Sequence, residues 1–457
     1  MSKQLKNKVE KNRINKVNII KSKLIYLGGF IMKKENRKLM FAFLGAMLWV
    51  AISFVIALPW LSCVAQKFTI IGSCVIITGI AFIPGFITSF LAFSLIASNR
   101  EKFVNINLHD EDITVLIACL NEQEKIYDTL YSIKMQNYLG HITVYVIDNG
   151  STDNTLNEIK KAKSDFDNQY ISIKILVNNK KGKSNALNTG LLNVATRYFI
   201  SLDADTKLDK DAFENIYASI KGSEYAAVAG WVIVENTKDN LLTKMQSYDY
   251  SLSIGAVKKM QSQFSSTLVA QGAFSIYSTE KIKAIGGFRD AIGEDIILTW
   301  DLLYNQNKVG FCENAIAYTT VPNKLKILFR QRARWARGMI EALKLHKPHQ
   351  FKFKSSKILT FINLLMPYVD FSYIFFLIPG VVFAFFGYTL IAGLMTLLLI
   401  PLALIQIVII NYSLPKIKRK YFSFGFFAFM LVYQFLMSIM SLCGYFQELT
   451  NSKRCWK

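Results

Sequence analysis

Five short stretches between residues 148 and 335 carry side chains whose types and spacing suit work on a phosphorylated substrate. The first is Asp148-Asn149-Gly150-Ser151-Thr152-Asp153. A carboxylate at its head can accept hydrogen bonds from a uracil N–H or from ribose hydroxyls. Taken alone, the string reads equally as a plain turn or a helix cap. The second is Lys181-Gly182-Lys183-Ser184-Asn185-Ala186-Leu187-Asn188. It sets a cation at a helix start, where backbone N–H groups and the helix dipole suit a diphosphate. It lacks P-loop spacing, and by itself it is also an ordinary solvated loop. The third is Asp203-Ala204-Asp205, after the apolar run Tyr198-Phe199-Ile200. Residues two apart in an extended chain share one side. Two carboxylates so placed can hold Mg2+ or Mn2+ against a sugar diphosphate. The fourth, Gly293-Glu294-Asp295, precedes a helix, and its acids alone read as capping groups favoured by the dipole. The fifth, Gln331-Arg332-Ala333-Arg334-Trp335, reads alone as a basic amphipathic helix at a membrane, with Arg330, Arg334 and Arg337 on one face.

Elements must position these groups. Ile113–Cys119, Ile142–Ile147, Ile171–Val177 and Tyr198–Leu202 read as short buried strands. Glu122–Gln136, Asn154–Lys163 and Lys183–Val194 read as helices between them. Such β-α-β-α order predicts an α/β domain with a largely parallel, doubly wound, Rossmann-like sheet. Ligands in these sheets bind beyond the carboxyl ends of the strands. All five stretches fall at such ends or in later loops.

Hydrophobic residues make up 52% of the 457, concentrated near the N-terminus and in the last hundred or so. Apolar runs at Phe41 to Cys63 and Phe68 to Ala97, parted near Gln66 and Lys67, can each cross about 30 Å of hydrocarbon. Lys33, Lys34, Arg37 and Lys38 precede the first and Arg100 and Lys102 follow the second, so the pair reads as a hairpin with both outer ends inside. The domain organisation predicted is a basic tail over 1–39, two membrane helices over 40–98 and a cytoplasmic domain over 105–347. An interfacial helix over 348–370, about three spans over 371–447 and a basic tail over 448–457 follow. Met32 offers a second start just before the first span. Counting spans at Phe371–Gly387, Leu390–Asn411 and Phe424–Phe446 leaves Lys453–Lys457 outside, against the charge rule.

The net charge of +22 raises a nucleic-acid reading. The basic residues flank apolar spans instead of forming one basic domain, so no nucleic-acid partner is expected. The six cysteines show no C-x-x-C pair and the four histidines no H-E-x-x-H, which argues against a disulfide framework or a zinc site.

Taken in order and flanked by apolar spans, the five stretches resemble those of the family 2 processive glycosyltransferases over residues 110–345. The resemblance implies a GT-A type mixed sheet inserted between transmembrane helices. It implies Asp148 at the uridine, Lys183 at the diphosphate, Asp203 at nucleotide and metal, and Asp205 as metal ligand. Asp295 matches the family's general base, with Glu294 beside it in the catalytic set. Gln331, Arg334 and Trp335 match Q-x-x-R-W, with Arg334 at the leaving diphosphate and Trp335 stacked on the acceptor sugar. Gln271 and Gly272 fall in an acceptor-side loop. Asn149 departs from the second Asp of many members. The implied reaction is one inverting displacement giving a β-link. The implied partners are a UDP-sugar, a growing polysaccharide and the lipid bilayer, and the resemblance leaves room for a small accessory membrane subunit. Gly293-Glu294-Asp295 followed by Ile296–Leu303, with Gln331-Arg332-Ala333-Arg334-Trp335, looks most similar to bacterial poly-β-1,6-N-acetylglucosamine synthases. This implies UDP-N-acetylglucosamine polymerised into an exopolysaccharide that crosses the plasma membrane. Other β-glycans, transfer of one sugar to a lipid, and a transporter or scaffold with an inactive transferase domain are the competing readings.

Overall fold

In the computed structural model the backbone is described for residues 2–98, 111–178, 180–391 and 424–452, with side chains from Glu35 onward. Branched and aromatic apolar residues set the strands of the central domain. β1 (Ile113–Cys119), β2 (Ile142–Asp148) and β3 (Ile171–Val177) lie parallel, with Ile113 opposite Ile142 and Cys119 opposite Asp148. β4 (Tyr198–Leu202) runs parallel to β1 on its other side. The crossovers are α3 (Ile126–Lys134), α4 (Thr155–Phe166) and α5 (Lys183–Leu192). Side chains alternate across β1. Ile113, Val115 and Ile117 join α3, α4 and α6 (Ala212–Lys221) in one core, while Leu116 and Ala118 face α5 in another.

After β4 the sheet becomes mixed, as β5 (Thr206–Leu208), β6 (Tyr225–Val234), β7 (Phe274–Ser278) and β8 (Lys308–Thr319) give the order β3-β2-β1-β4-β7-β6-β8-β5. β7 is antiparallel to both β4 and β6. The strand pattern had shown only the parallel half. α7 (Leu241–Tyr250), α8 (Val257–Ser262), α9 (Thr279–Ala284), α10 (Glu294–Tyr304) and α11 (Leu325–Leu345) complete the domain.

α1 (Ser2–Ile77) is broken at Thr69, where φ is +67°, and a π-helical turn leads on to α2 (Ile83–Ile96). Phe41 meets Phe93, Phe43 meets Phe86 and Phe54 meets Phe82, each at 5.9 Å between ring centroids, so the chain reverses near Thr69 as an antiparallel hairpin. Helix is assigned from Ser2, through the stretch read as a basic tail. Among the described residues three helical runs are long and apolar enough to cross a membrane: Glu35–Ile96, Lys354–Phe385 and Phe429–Leu449.

The expected interfacial helix ending near Asp370 is not a separate element. α12 (Lys354–Ser372) continues through a π-helical turn into α13 (Ile378–Phe385). Asp370 does not stop it, because the Asp370 carboxylate accepts hydrogen bonds from Ser438 (2.7 Å) and Tyr445 (2.8 Å). A polar residue with partners inside an apolar bundle is tolerated where an orphaned one is not. The span read at Leu390–Asn411 and the basic loop at 416–420 lie outside the described residues.

The last run joins α14 (Phe424–Ala428) through a π-helical turn to α15 (Gln434–Leu449), which lies along α11. A Cβ on Gly444 would sit 2.3 Å from the Ala333 carbonyl oxygen, so the two backbones touch. Glu448 accepts from Lys344 (2.9 Å) and lies 3.4 Å from Arg337, which also donates to the Ser452 carbonyl (2.9 Å). Residues 448–452 therefore sit against the central domain, and Lys453–Lys457, which the span count left outside, lie outside the described residues. Arg337 is buried against α15 and does not line a basic membrane face with Arg330.

Asp301 on α10 fastens the end of α11. His346 Nε2 lies 2.7 Å from its Oδ1, and Arg289 donates to both oxygens at 2.7 and 3.0 Å. Burial alone would raise this carboxyl, but the His346 and Arg289 hydrogen bonds and the Arg289 charge hold it below the ordinary carboxylate range. A depressed folded value stabilises the fold above the unfolded value and loses that contribution as pH falls through the folded one. Acid unfolding of detergent-solubilised protein is therefore expected to flatten below about pH 4 in Asp301→Asn, with about 1–3 kcal/mol lost at neutral pH. An unchanged acid limb would remove Asp301 from this role.

Candidate active site

Lys183 opens α5, entered through Gly182 at φ +122°, a conformation that L side chains rarely adopt. Its Nζ lies 2.8 Å from Asp203 Oδ1, just past the end of β4, and 2.9 Å from Glu294 Oε1 at the start of α10. The loop before β7 passes alongside. A Cβ on Gly272 would come within 2.8 Å of Lys183 Nζ, so only glycine leaves that ammonium its place. The Gly272 N–H donates to Asp295 Oδ2 (3.3 Å), and the Ile296 N–H donates to Asp295 Oδ1 (2.8 Å). Lys183, Asp203, Gly272, Glu294 and Asp295 thus form one connected cluster.

Its electrostatics follow from crowding. Burial would lower Lys183, but Asp203 and Glu294 outweigh it and hold the ammonium charged. Burial pushes Glu294 up, and Lys183 opposes this without cancelling it. Asp205 is pushed up to about 6 by burial and by Asp203, with Lys125 at 3.8 Å as a partial counterweight. A carboxylate held up in this way is short of positive charge. Mg2+ or Mn2+ would fit this oxygen donor set, with Asp203 and Asp205 as the protein groups that would hold it. Among the described residues no group of three or more His, Cys, Asp or Glu side chains encloses a metal by itself.

α11 reaches this cluster through a backbone contact. A Cβ on Gly338 would lie 2.8 Å from Gly293 Cα, and one on Gly293 the same distance from Gly338 Cα. Glu341 accepts from the Ile292 N–H (2.9 Å) beside that contact. Gln331 and Arg334 are half-buried on α11, and Gln331 Oε1 has no hydrogen-bond partner among the described residues. Trp335 is exposed, 6.3 Å from the Tyr250 ring.

Gln271 faces away from the cluster, and Asp148 lies apart from it. Gln271 is buried and donates to the Gly230 carbonyl (2.6 Å), so at this loop the Gly272 backbone, and not the Gln271 side chain, meets the cluster. Asp148 stands at the end of β2, outside the cluster, and its carboxylate accepts from the Gly150 and Ser151 amides of its own turn. Asn149 has a framework task. It accepts from the Gly182 N–H (2.8 Å) and donates to the Lys180 carbonyl (2.9 Å), tying β2 to the entrance of α5. A carboxylate could not donate there.

The sequence reading missed several neighbours. Lys258 on α8 is buried near Asp295, where burial, partly opposed by Asp295, brings its amine down to about 7. A lysine on an otherwise ordinary helix gave no signal. The Gly293–Gly338 contact and the neighbours of Trp335 likewise join residues far apart in the chain.

Residues 114–286 match the family model described as Glycosyl transferase family 2, so the chain carries a domain of that family. Poly-beta-1,6-N-acetyl-D-glucosamine synthase of Staphylococcus epidermidis is 33% identical over 235 residues, 51% of this chain and 56% of that protein. The protein of the same name from Staphylococcus aureus (strain COL) is 33% identical over 247 residues, 54% of this chain and 58% of that one. The chain thus covers a little over half the length of these curated relatives. A mannosyltransferase from Pyrobaculum calidifontis, solved in complex with GDP-Man and Mn2+, superposes with a TM-score of 0.57 at 16% identity, covering 89% of this chain and all of that one. At this identity the likeness is one of fold. The mixed sheet with flanking helices is GT-A-like, as the family resemblance implied.

The Gly293–Gly338 contact sets a stability test. Gly338→Ala is expected to cost about 1–3 kcal/mol by overpacking, read as a lower thermal midpoint in detergent. Wild-type stability in that variant would mean that α11 can slide without loss.

Proposed function

We propose that this chain, through its glycosyl transferase family 2 domain, acts as a membrane-bound inverting glycosyltransferase that extends a β-linked polysaccharide from UDP-N-acetylglucosamine. The observation carrying this reading is the Lys183 ammonium bridging Asp203 and Glu294, with Asp295 oriented next to them. The Staphylococcus relatives support the choice of sugar.

Asp295 is the base. Two backbone amides fix its carboxylate, and each oxygen keeps a lone pair for the acceptor hydroxyl. As Asp295 takes that proton, the acceptor oxygen attacks the anomeric carbon. The bond from that carbon to the diphosphate oxygen breaks, and UDP leaves with the electron pair. Attack opposite the leaving group gives the β-link, and no carboxylate nucleophile is required. Lys183 spends two of its three N–H donors on Asp203 and Glu294, which leaves one for a phosphate oxygen. Arg334 adds a second cation for the charge that develops on UDP. Asp203 and Asp205 would hold Mg2+ or Mn2+, which supplies Lewis-acid charge at the diphosphate. Asp148 stands at the uridine end of the crevice, beyond β2. Gln331 and Trp335 take the acceptor, whose sugar ring stacks on the exposed indole.

The helical hairpin and the run Lys354–Phe385, long and apolar enough to cross a membrane, support a seat at the plasma membrane, and in this reading the basic flank Lys33–Lys38 and the active site face the cytoplasm. Growing chain then leaves toward the bilayer.

Purified protein in lipid nanodiscs, given UDP-N-acetylglucosamine, UDP-glucose or UDP-glucuronate separately with Mg2+ or Mn2+, is expected to make polymer and free UDP from the first donor. Asp295→Asn should lower turnover by about 10²–10⁴-fold. A single sugar transferred to lipid would replace the polymerase reading, and full output from Asp295→Asn would end the assignment of the base.

A further inference from the structure

Trp335 is braced by a residue that the reaction itself does not use. The Arg332 guanidinium carbon lies 4.2 Å from the Trp335 ring centroid and 5.6 Å from that of Tyr250. Arg332 thus fills the corner between two rings that are 6.3 Å apart. It is only 8% exposed, and a guanidinium so enclosed is retained only with partners. One is Asp249 Oδ2, at 2.8 Å. The other is the Tyr433 hydroxyl, which accepts from Arg332 at 3.2 Å and donates to Asp249 at 3.3 Å. Tyr433 is 1% exposed and belongs to the C-terminal helical run, outside the transferase domain.

We propose that Arg332 is a positioning residue for the acceptor platform, and that the C-terminal helix sets its pose through Tyr433. This rests on the reading of Trp335 as the acceptor-stacking ring. An exposed indole has several rotamers open to it. A cation fixed over one face selects one of them and leaves the other face for a sugar. The planar guanidinium can stack on the indole and pair with Asp249 at once, whereas a lysine ammonium can do only the second. Asp249, at the end of α7, and Tyr433, from the membrane-side helix, are both needed to anchor it. The acceptor site is therefore complete only when the C-terminal run is docked along α11, where Glu448 makes a second tie to Arg337 and Lys344. Donor binding, at Lys183 and Asp203, makes no use of this brace.

The test uses the full chain in nanodiscs with UDP-N-acetylglucosamine and a β-linked N-acetylglucosamine oligomer as acceptor. Tyr433→Phe keeps the ring against Phe429 and removes only the hydroxyl. It should raise the acceptor KM about three- to tenfold, with kcat and donor KM unchanged. Arg332→Lys should raise it as much, despite keeping the charge. If Arg332→Lys fails to fold, the double variant Arg332→Gln with Asp249→Asn leaves no unpaired buried charge and should show the same split. Polymer length from donor alone reads the same quantity, and should shorten in each variant. Lower kcat or raised donor KM with an unmoved acceptor KM would reduce the brace to a purely structural contact and overturn the proposal. Trp335→Ala separates the two readings. If it moves the acceptor KM and the Arg332 and Tyr433 variants do not, the positioning role alone fails. If it leaves the acceptor KM unmoved, the acceptor role of Trp335 fails and this inference falls with it.

Discussion

The Lys183 ammonium sits between Asp203 and Glu294, with Asp205 and Asp295 close behind. Four carboxylates in one half-buried crevice repel one another and lose solvation, so without a central cation some would take up protons. That demand fixes the relative places of three elements. The start of α5 must lie where β4 ends, and α10 must begin beside both. The loop before β7 must bring a residue without a side chain past the ammonium, and Gly272 meets that requirement. The mixed sheet order, with β7 antiparallel between β4 and β6, delivers the loop there.

The membrane-side helices are not an appendage to this arrangement. Leu39, Phe90 and Leu359 from the helical runs share one hydrophobic cluster with Leu187, Phe199 and Trp300 of the transferase domain. Apolar burial, the main favourable term in folding, is therefore continuous between the two parts. Through α11 and α15 the continuity becomes polar, as Arg332, Arg337 and Lys344 each find a partner in the C-terminal run. A helix that looks like a basic membrane surface in one dimension is a buried seam in three.

What the sequence made legible was local. The four parallel strands, their crossover helices and the hairpin reversal near Gln66 all follow from short apolar periods and breaks. Asp148, Lys183, Asp203 and Asp205 fall at strand ends, where the chemistry of this fold class collects. The other strands were hidden because β6 carries Gly230 and β8 carries Glu313 and Asn314 inside its run, which spoils the apolar pattern. Asp370 read as a helix end because its partners, Ser438 and Tyr445, lie far along the chain. Gln271 was drawn into the site by its neighbours, whereas its amide closes a hydrogen bond within the sheet. Arg332 had no local signal, since its value depends on Asp249 and Tyr433, which no spacing brings together.

The touching backbones at Gly293 and Gly338 have one more consequence. No side chain separates the segment bearing Glu294 and Asp295 from the segment bearing Arg334 and Trp335, so neither can shift without carrying the other. Residues 292–296 and 331–341 amount to a single interlocked cassette. Recombination or engineering that transplants one half from a homologous chain without the other breaks the lock, whereas exchanging both together preserves the register between Asp295 and Trp335.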